Sequence, residues 1–105
     1  MEAFNKNNER LPAEVFDDLN AFERILREHG AKKIILYGSM ARGDFHKDSD
    51  MDLCFEGIPE YDYFRVLSEC LMHAKRRLNL IDFESTRGRL RENILMEGKI
   101  IYADR

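Results

Sequence analysis

Apolar residues recur with a helical period in two long segments of the chain, residues 12–29 and 60–77. The first segment has its apolar face at Val15, Leu19, Phe22 and Leu26. The second has a longer apolar stripe, with Val66 and Cys70 beside it, formed by Phe64, Leu67, Leu71, Ala74 and Leu78. Such spacing predicts two amphipathic helices whose apolar faces cover a core.

Short apolar runs of the length typical of strands separate and follow these segments. Lys33 to Tyr37 is apolar at nearly every position, which predicts a central strand covered on both faces. Further strands are predicted from Asp50 to Glu56, from Asn79 to Glu84 and from Lys99 to Tyr102. The chain is therefore expected to contain four short strands.

A third long helix is predicted between the last two strands. Ser85 or Thr86 has a side chain that can cap its start, and Gly98 fits its end. Its inward face is predicted to include Leu90, Ile94 and Leu95. Helices that alternate with short strands are typical of an α/β or α+β domain with one sheet. At 105 residues the chain has the length of a single domain, residues 1–105, of which 1–10 are expected to be frayed.

A polar segment after the first strand contains the residues best suited to chemistry. Gly38 and Ser39 follow that strand directly, so a turn into a short helix leaves backbone N–H groups free to bind a phosphate. Asp50 and Asp52 are two positions apart on the second strand, so both carboxylates project from one face. Paired carboxylates beside a phosphate-binding turn suit Mg²⁺ ions that bridge a triphosphate.

Two other motifs resemble this segment, and both fail on the residues. A P-loop needs Lys and then Ser or Thr after its second glycine, but Asp44 and Phe45 follow Gly43. An EF-hand calcium loop needs Gly at its sixth position and Glu at its twelfth, where this chain has Leu53 and Pro59. A polar loop with solvated aspartates is the remaining alternative.

The composition narrows the classes of function further. A formal net charge of −3 argues against a protein that binds nucleic acid by neutralising phosphates, so no direct nucleic-acid binding is expected. The N-terminus is polar and no apolar run is long enough to cross a membrane, which predicts a cytoplasmic protein with no membrane partner. Cys54 and Cys70 are widely separated, which favours free core thiols over a disulfide.

The spacing of Gly38–Ser39, ten residues, then Asp50–Met51–Asp52 matches the G-S-x10-D-x-D signature of the DNA-polymerase-β-like nucleotidyltransferase superfamily. With Ala41-Arg42-Gly43 and the stretch from Asn79 to Phe83, the chain resembles the small minimal nucleotidyltransferase (MNT) branch, which includes antitoxins of the MntA type. The resemblance covers most of the chain after the first helix. It implies a mixed sheet backed by helices, with the active site on one open side.

The resemblance also implies roles for individual residues. Gly38 and Ser39 would hold the β- and γ-phosphates of a nucleoside triphosphate, with ATP as the substrate expected. Arg42 would contact a phosphate or stabilise the fold. Asp50 and Asp52 would carry two Mg²⁺ ions and are the expected catalytic residues.

A third acidic residue of the family falls on Asp82, in the third predicted strand. By this resemblance Asp82 would join Asp50 and Asp52 in the metal site and assist deprotonation of the acceptor hydroxyl. Glu84 lies two residues further along and shares its face, so it is the alternative. Without a functional role, Asp82 would be a rim residue or a salt-bridge partner.

MNT proteins of this size are commonly paired with a HEPN-domain toxin, a small helical ribonuclease, and some transfer AMP onto a Tyr of that toxin. The resemblance therefore implies a Mg²⁺- and ATP-dependent nucleotidyltransferase that acts as an antitoxin. Two alternatives stay open: a non-catalytic subunit that masks the toxin, and the catalytic subunit of a two-component enzyme acting on a small-molecule hydroxyl. Arg87, Arg89 and Arg91 are interpreted as a solvated face or as a contact for the acceptor.

Overall fold

The computed structural model describes residues 11–104, so the expected frayed segment 1–10 lies outside the described residues. Within residues 11–104 the chain forms four strands and four α-helices. The helices are α1 (Ala13–Glu28), α2 (Ser39–Arg42), α3 (Tyr63–His73) and α4 (Gly88–Glu97). The strands are β1 (Lys33–Tyr37), β2 (Met51–Glu56), β3 (Leu78–Asp82) and β4 (Lys99–Ala103). None of the helices described here is long and apolar enough to span a membrane.

The four strands form one mixed sheet in the order β3-β2-β1-β4. β1 is antiparallel to both of its neighbours, whereas β2 and β3 are parallel. Tyr37, the last residue of β1, lies opposite Asp52 near the start of β2. The prediction that β1 is a central strand is confirmed, and so is the expected α/β class with a mixed sheet backed by helices.

Alternating residues of the sheet enter two separate cores. The larger core lies between one sheet face and helices α1 and α3, and it buries the predicted face of α1 at Val15, Leu19, Phe22 and Leu26. The smaller core, on the other face, consists of Ile35, Cys54, Phe83 and Ile94, the last from α4. At the margin of this second face Tyr37 and Asp52 are partly exposed. This margin is the open side of the sheet.

The inward face of helix α3 is centred beside the predicted stripe, of which Leu67 and Ala74 still pack against the core. Val66 and Cys70 are fully buried, whereas Phe64 is 77% and Leu71 is 49% exposed. The helix also ends at His73, so the predicted stripe, which ran on to Leu78, crossed into β3. Because two apolar stripes run along one helix, periodicity alone did not select the inward one.

The start of α4 and the end of β3 also differ from the predictions. β3 ends at Asp82, and the short 3-10 turn Phe83–Ser85 follows it. Neither predicted residue caps α4, whose N-cap position is Arg87. Thr86 instead donates its hydroxyl hydrogen bond to the carbonyl oxygen of Phe83 at 2.7 Å.

Helix α4 is also less buried than the sequence indicated. Ile94 is fully buried as predicted, but Leu90 and Leu95 are exposed. The helix therefore contacts the sheet along a narrow line, which leaves part of the second face open.

A buried carboxylate connects α1 to the segment before β3. Asp18 is 3% exposed, and its Oδ2 accepts a hydrogen bond from the backbone N–H of Lys75 at 3.0 Å. Two residues later, the carbonyl oxygen of Arg77 accepts from the N–H of Met51 at 2.9 Å. These bonds fix where β3 begins relative to α1 and β2.

Both cysteines are free and buried, as predicted. Burial raises the pKa of the Cys54 thiol to about 12, and it raises the pKa of Cys70 to about 12 as well. Both thiols are therefore protonated at neutral pH and pack as small apolar side chains.

Candidate active site

The turn between β1 and α2 places the start of a short helix at the open side of the sheet. Gly38 has φ 73° and ψ −155°, and its carbonyl oxygen accepts the first helical bonds, from Ala41 N–H at 3.1 Å and Arg42 N–H at 3.0 Å. The N–H groups at the start of a helix have no intrahelical partner. A glycine has no side chain that could satisfy them, so they are available to an anion.

Asp52 lies directly against this turn. A Cβ atom added to Gly38 would collide with Oδ2 of the Asp52 carboxylate. Only glycine allows this approach, and only glycine readily adopts the backbone conformation found here. Gly38 therefore brings the free N–H groups and the carboxylate into one small site.

Asp50 lies just before β2, not within it as predicted, and its carboxylate reaches the same Asn79 amide as that of Asp52. Met51, Leu53 and Phe55 alternate with them and belong to the larger core on the opposite face. Both aspartates are partly exposed. The strand alternation thus presents the carboxylates at the open side and buries the apolar residues between them.

Asn79 is the third side chain at this pair of carboxylates. It lies opposite Asp52 in the parallel register of β3 and β2. Its Nδ2 donates to Oδ1 of Asp52 at 2.8 Å and to Oδ2 of Asp50 at 3.3 Å. The sequence analysis missed Asn79, although as a polar residue in the third predicted strand it was a visible candidate.

The structure does not bring Asp82 to Asp50 and Asp52. Asp82 lies opposite Phe55, three residues further along the sheet than Asn79. Because three is an odd number, its side chain points to the other face of the strand. Within residues 11–104 no three His, Cys, Asp or Glu side chains come close enough to hold a metal ion. In this structure Asp82 is therefore not grouped with Asp50 and Asp52.

Asp82 and Glu84 instead shape the turn that ends β3. Oδ1 of Asp82 accepts the backbone N–H of Glu84 at 3.0 Å and so caps the 3-10 turn. The Glu84 side chain is exposed in that turn. The Asp82 carboxylate thus has a structural role at the end of β3.

The electrostatics of the site are dominated by burial. Burial raises the pKa of Asp52, the hydrogen bond from Asn79 lowers it, and the charge of Asp50 raises it; the net direction is upward. Burial, followed by the charge of Asp52, raises the pKa of Tyr37 well above its ordinary value of 10.0. Tyr37 therefore remains neutral beside the carboxylates.

Arg42 holds α2 against its surroundings. Its Nε donates to Oδ2 of Asp44 at 3.2 Å, and its Nη1 lies 3.5 Å from Oε1 of Glu97 at the end of α4. These two ion pairs support the interpretation that Arg42 stabilises the fold. These pairs are solvent-exposed, so each contributes little to stability.

Arg76 anchors the loop that leads into Asp50. Its Nη1 donates to the carbonyl oxygens of Lys47 at 3.3 Å and Ser49 at 3.4 Å. Its Nε is buried and has no hydrogen-bond partner among residues 11–104. The sequence did not indicate this contact, because the helical pattern over residues 60–77 runs past His73, where the helix in fact ends.

Two of the three arginines near α4 make local contacts. Arg91 lies over the Phe83 ring at 4.1 Å and donates to the Phe83 carbonyl oxygen at 3.0 Å. Arg87 donates to the carbonyl oxygens of Glu84 and Thr86 at 2.9 and 2.6 Å. Arg89 is exposed.

The residues at the site fit a hard divalent cation. Asp50 and Asp52 supply carboxylate oxygens that lie close enough together to share the amide group of Asn79. Mg²⁺ is usually held by one or two carboxylates together with substrate phosphates and water. Two carboxylates next to a phosphate-binding turn meet that requirement.

Comparison with known proteins agrees with this geometry. Residues 20–105 match the family model described as Polymerase beta, Nucleotidyltransferase. A candidate protein adenylyltransferase of Methanocaldococcus jannaschii is 29% identical, and the match covers 68% of this chain and 78% of that relative.

Two solved structures share the fold. One is a chain of a toxin–antitoxin complex with AMP-PNP, with a TM-score of 0.70, 20% identity, and coverage of 82% of this chain and 73% of that chain. The other is a chain of a tri-AMPylated HEPN toxin of Shewanella oneidensis in complex with an MNT antitoxin, with a TM-score of 0.65, 16% identity, and coverage of 84% and 71%. Since the family model spans most of the sequence, this chain belongs to the polymerase beta nucleotidyltransferase family.

Proposed function

We propose that this nucleotidyltransferase uses Mg²⁺ and ATP to transfer AMP to the hydroxyl group of a Tyr in a partner HEPN-domain toxin, and so acts as an antitoxin. In this reaction the acceptor oxygen forms a bond to the α-phosphorus of ATP. The bond from that phosphorus to the oxygen shared with the β-phosphate breaks, and pyrophosphate leaves with the electron pair. The hydroxyl proton passes to a carboxylate or to water.

The observation that carries the proposal is the close approach of Gly38 to Asp52. It sets N–H groups that suit phosphate oxygens beside carboxylates that suit a cation. A triphosphate with its divalent cation needs both kinds of partner within a short span. A solvated polar loop would have no need for either the glycine conformation or the contact.

Each proposed role follows from a position at the site. Gly38 and Ser39, at the start of α2, hold the β- and γ-phosphates. Asp50 and Asp52 hold Mg²⁺, which when bound neutralises phosphate charge and stabilises the leaving pyrophosphate. Arg42, in the last turn of α2, is proposed as a further phosphate contact that would exchange one of its exposed ion pairs for the nucleotide.

Two kinds of observation support a protein as acceptor. The Methanocaldococcus jannaschii relative is a candidate protein adenylyltransferase, and one structure with this fold comes from a complex with an AMPylated HEPN toxin. The chain also exposes large apolar side chains on and before α3 and on α4: Tyr61, Phe64, Leu71, Met72, Leu90, Leu95 and Met96. Exposed apolar side chains suit contacts with a protein partner where they form a contiguous patch.

A second candidate function is a subunit that inhibits the toxin by binding alone. The observation that favours it is the carboxylate count: Asn79, a neutral amide, lies beside Asp50 and Asp52 where a third acidic residue was expected. Asp82 has no part in either proposal, because it lies on the other face of the sheet.

The test is incubation of the purified chain with Mg²⁺, ATP and a HEPN toxin encoded beside it, followed by mass spectrometry of the separated toxin. We expect AMP-sized mass increments on a Tyr, and these should persist after the chain is removed. Asp52→Asn keeps the side-chain shape, removes the charge and should abolish the increments. Asp48→Asn, an exposed carboxylate of the preceding loop, is the matched control and should not.

The two candidate functions give opposite results in this experiment. Inhibition that needs no nucleotide, scales with the fraction of toxin in complex and survives Asp52→Asn would support the binding-only function. A toxin that is fully inhibited yet carries no added mass would overturn the transfer reaction.

A further inference from the structure

We propose that Asn79 is a positioning residue that holds Asp50 and Asp52 together without a cation and makes the capture of Mg²⁺ depend on a bound nucleoside triphosphate. This inference rests on the proposed function in so far as that function names the cation and the nucleotide. The contacts of Asn79 themselves do not depend on it.

The geometry places one amide nitrogen between two carboxylates. Nδ2 of Asn79 carries two hydrogens, and it lies 2.8 Å from Oδ1 of Asp52 and 3.3 Å from Oδ2 of Asp50. One hydrogen can therefore be donated to each acid. The register of β3 against β2, which sets Asn79 opposite Asp52, holds the amide in this position.

The amide group of Asn79 stabilises the carboxylate pair, as a bound cation would. Two neighbouring carboxylates repel each other unless a positive charge or hydrogen-bond donors stabilise them. Asn79 supplies the donors and adds no charge. The pair can therefore stay together in the nucleotide-free chain, and it presents two negative charges where a third carboxylate would have made three.

The charge count sets how strongly the free site attracts Mg²⁺. The attraction between a cation and a site grows with each unit of opposite charge, and Mg²⁺ carries two. In addition, the Asn79 N–H groups occupy carboxylate oxygens that a cation would need. Triphosphate oxygens at the Gly38 turn would supply the missing negative charge, so cation and nucleotide should enter together.

The experiment measures Mg²⁺ binding by calorimetric titration of the chain, first without nucleotide and then with AMP-PNP. The parent should bind Mg²⁺ weakly alone and much more tightly with AMP-PNP. Asn79→Asp should bind Mg²⁺ without nucleotide at least about tenfold more tightly than the parent, because it adds a third negative charge. It should also melt at a lower temperature than the parent in EDTA, and Mg²⁺ alone should reverse that loss.

Asn20→Asp is the matched control, because it adds the same charge at an exposed position of α1, which packs on the opposite face of the sheet. It should bind Mg²⁺ like the parent. Equal Mg²⁺ affinity of Asn79→Asp and the parent would overturn the inference, as would a parent that binds Mg²⁺ equally well with and without AMP-PNP. A parent that shows the expected coupling but transfers no AMP would overturn the proposed function and leave the inference standing.

Discussion

The carboxylate of Asp52 occupies the space where the first side-chain carbon of any residue other than glycine at position 38 would lie. Gly38 directly follows β1, and Asp52 lies near the start of the neighbouring strand β2, so the two meet where one strand ends and the other begins. A substitution at either position therefore alters the structure at the other. The phosphate-binding turn and the carboxylate pair behave as one unit, and this unit can be tested by substitution.

The first prediction concerns Gly38→Ala. A strained backbone conformation alone costs about 1–3 kcal/mol, and the displacement of Asp52 adds to that cost. We therefore expect Gly38→Ala to lower the free energy of unfolding by more than the strain alone. It should also abolish binding of Mg²⁺-ATP. Urea denaturation and calorimetry measure the two effects.

Gly88→Ala is the control for that substitution. Gly88 also has a positive φ, of 60°, but no described atom lies within 4 Å of the added Cβ. It should cost about 1–2 kcal/mol through backbone strain alone and leave nucleotide binding intact. Equal effects of the two substitutions on nucleotide binding would show that the contact with Asp52 does not matter.

The second prediction concerns the pH dependence of stability through Asp52. Its pKa is raised chiefly by burial, so the folded chain holds this proton more tightly than the unfolded chain does. The ionised carboxylate then opposes folding, and the stability gained from the protonated form is lost as pH rises through the raised pKa. Asp52→Asn should therefore be more stable than the parent at neutral pH in EDTA. The difference should vanish as pH falls toward and below the ordinary value of 3.8.

Thermal melting in EDTA across this pH range measures the effect. Asp48→Asn, at an exposed site in the loop before β2, provides the comparison for removal of a surface charge. A constant difference between Asp52→Asn and the parent at every pH would contradict the assignment to this carboxyl group.

The third prediction concerns the response to ligand. A ligand that binds only the folded chain stabilises it by about 2.7 kcal/mol when present at a hundredfold excess over its Kd. The parent should therefore melt several degrees higher with Mg²⁺-ATP. The double variant Asp50→Asn, Asp52→Asn should fold at least as well without metal and lose this shift, whereas an undiminished shift would place the ligand elsewhere.

The fourth prediction concerns Asp82. Because its Oδ1 caps the turn at Glu84, Asp82→Ala should cost about 0.5–2 kcal/mol, whereas Asp82→Asn keeps an acceptor and should cost less. Both variants should keep the full thermal shift with Mg²⁺-ATP. Loss of the thermal shift in Asp82→Asn would show that Asp82 takes part in binding Mg²⁺-ATP.

The fifth prediction separates surface from core on α3. Phe64→Ala, at a side chain that is 77% exposed, should change stability by less than about 0.5 kcal/mol but weaken toxin binding. Val66→Ala, at a fully buried side chain, should cost about 1–3 kcal/mol. Denaturation and a pull-down with the toxin distinguish the two variants. Unchanged toxin binding by Phe64→Ala would exclude the exposed face of α3 as the toxin-binding surface.

Local signals in the sequence predicted where Gly38, Asp50 and Asp52 lie relative to the strands. Gly38 stands at the end of an apolar strand, and Asp50 and Asp52 alternate with residues of the core, so a few neighbouring residues were enough. The same holds for β1, whose continuous apolar run indicated a central strand. The hydrophobic periodicity and the turn-forming residues within a short window are enough to predict these positions.

The errors arose where the answer depends on contacts between distant segments. Asn79, and neither Asp82 nor Glu84, lies beside Asp50 and Asp52 because of the register of β3 against β2. The hydrogen bonds at Lys75 and Arg77 before β3 join distant segments, so no local pattern reveals them. The inward face of α3 likewise depends on the sheet beneath it. Both Phe64 and Val66 belong to apolar stripes, and the sequence does not state which stripe the sheet covers.

The hydrogen bond from Lys75 N–H to buried Asp18 has a consequence for mutational surveys of this protein. Asp18 is on α1, across the sheet from the carboxylate pair, yet it helps to set where Asn79 stands. A substitution there would remove the acceptor of the partly buried Lys75 N–H and loosen the segment before β3. It would then be scored as an active-site defect although it contacts no ligand, so a loss-of-activity map would extend through the molecule to the side opposite its chemistry.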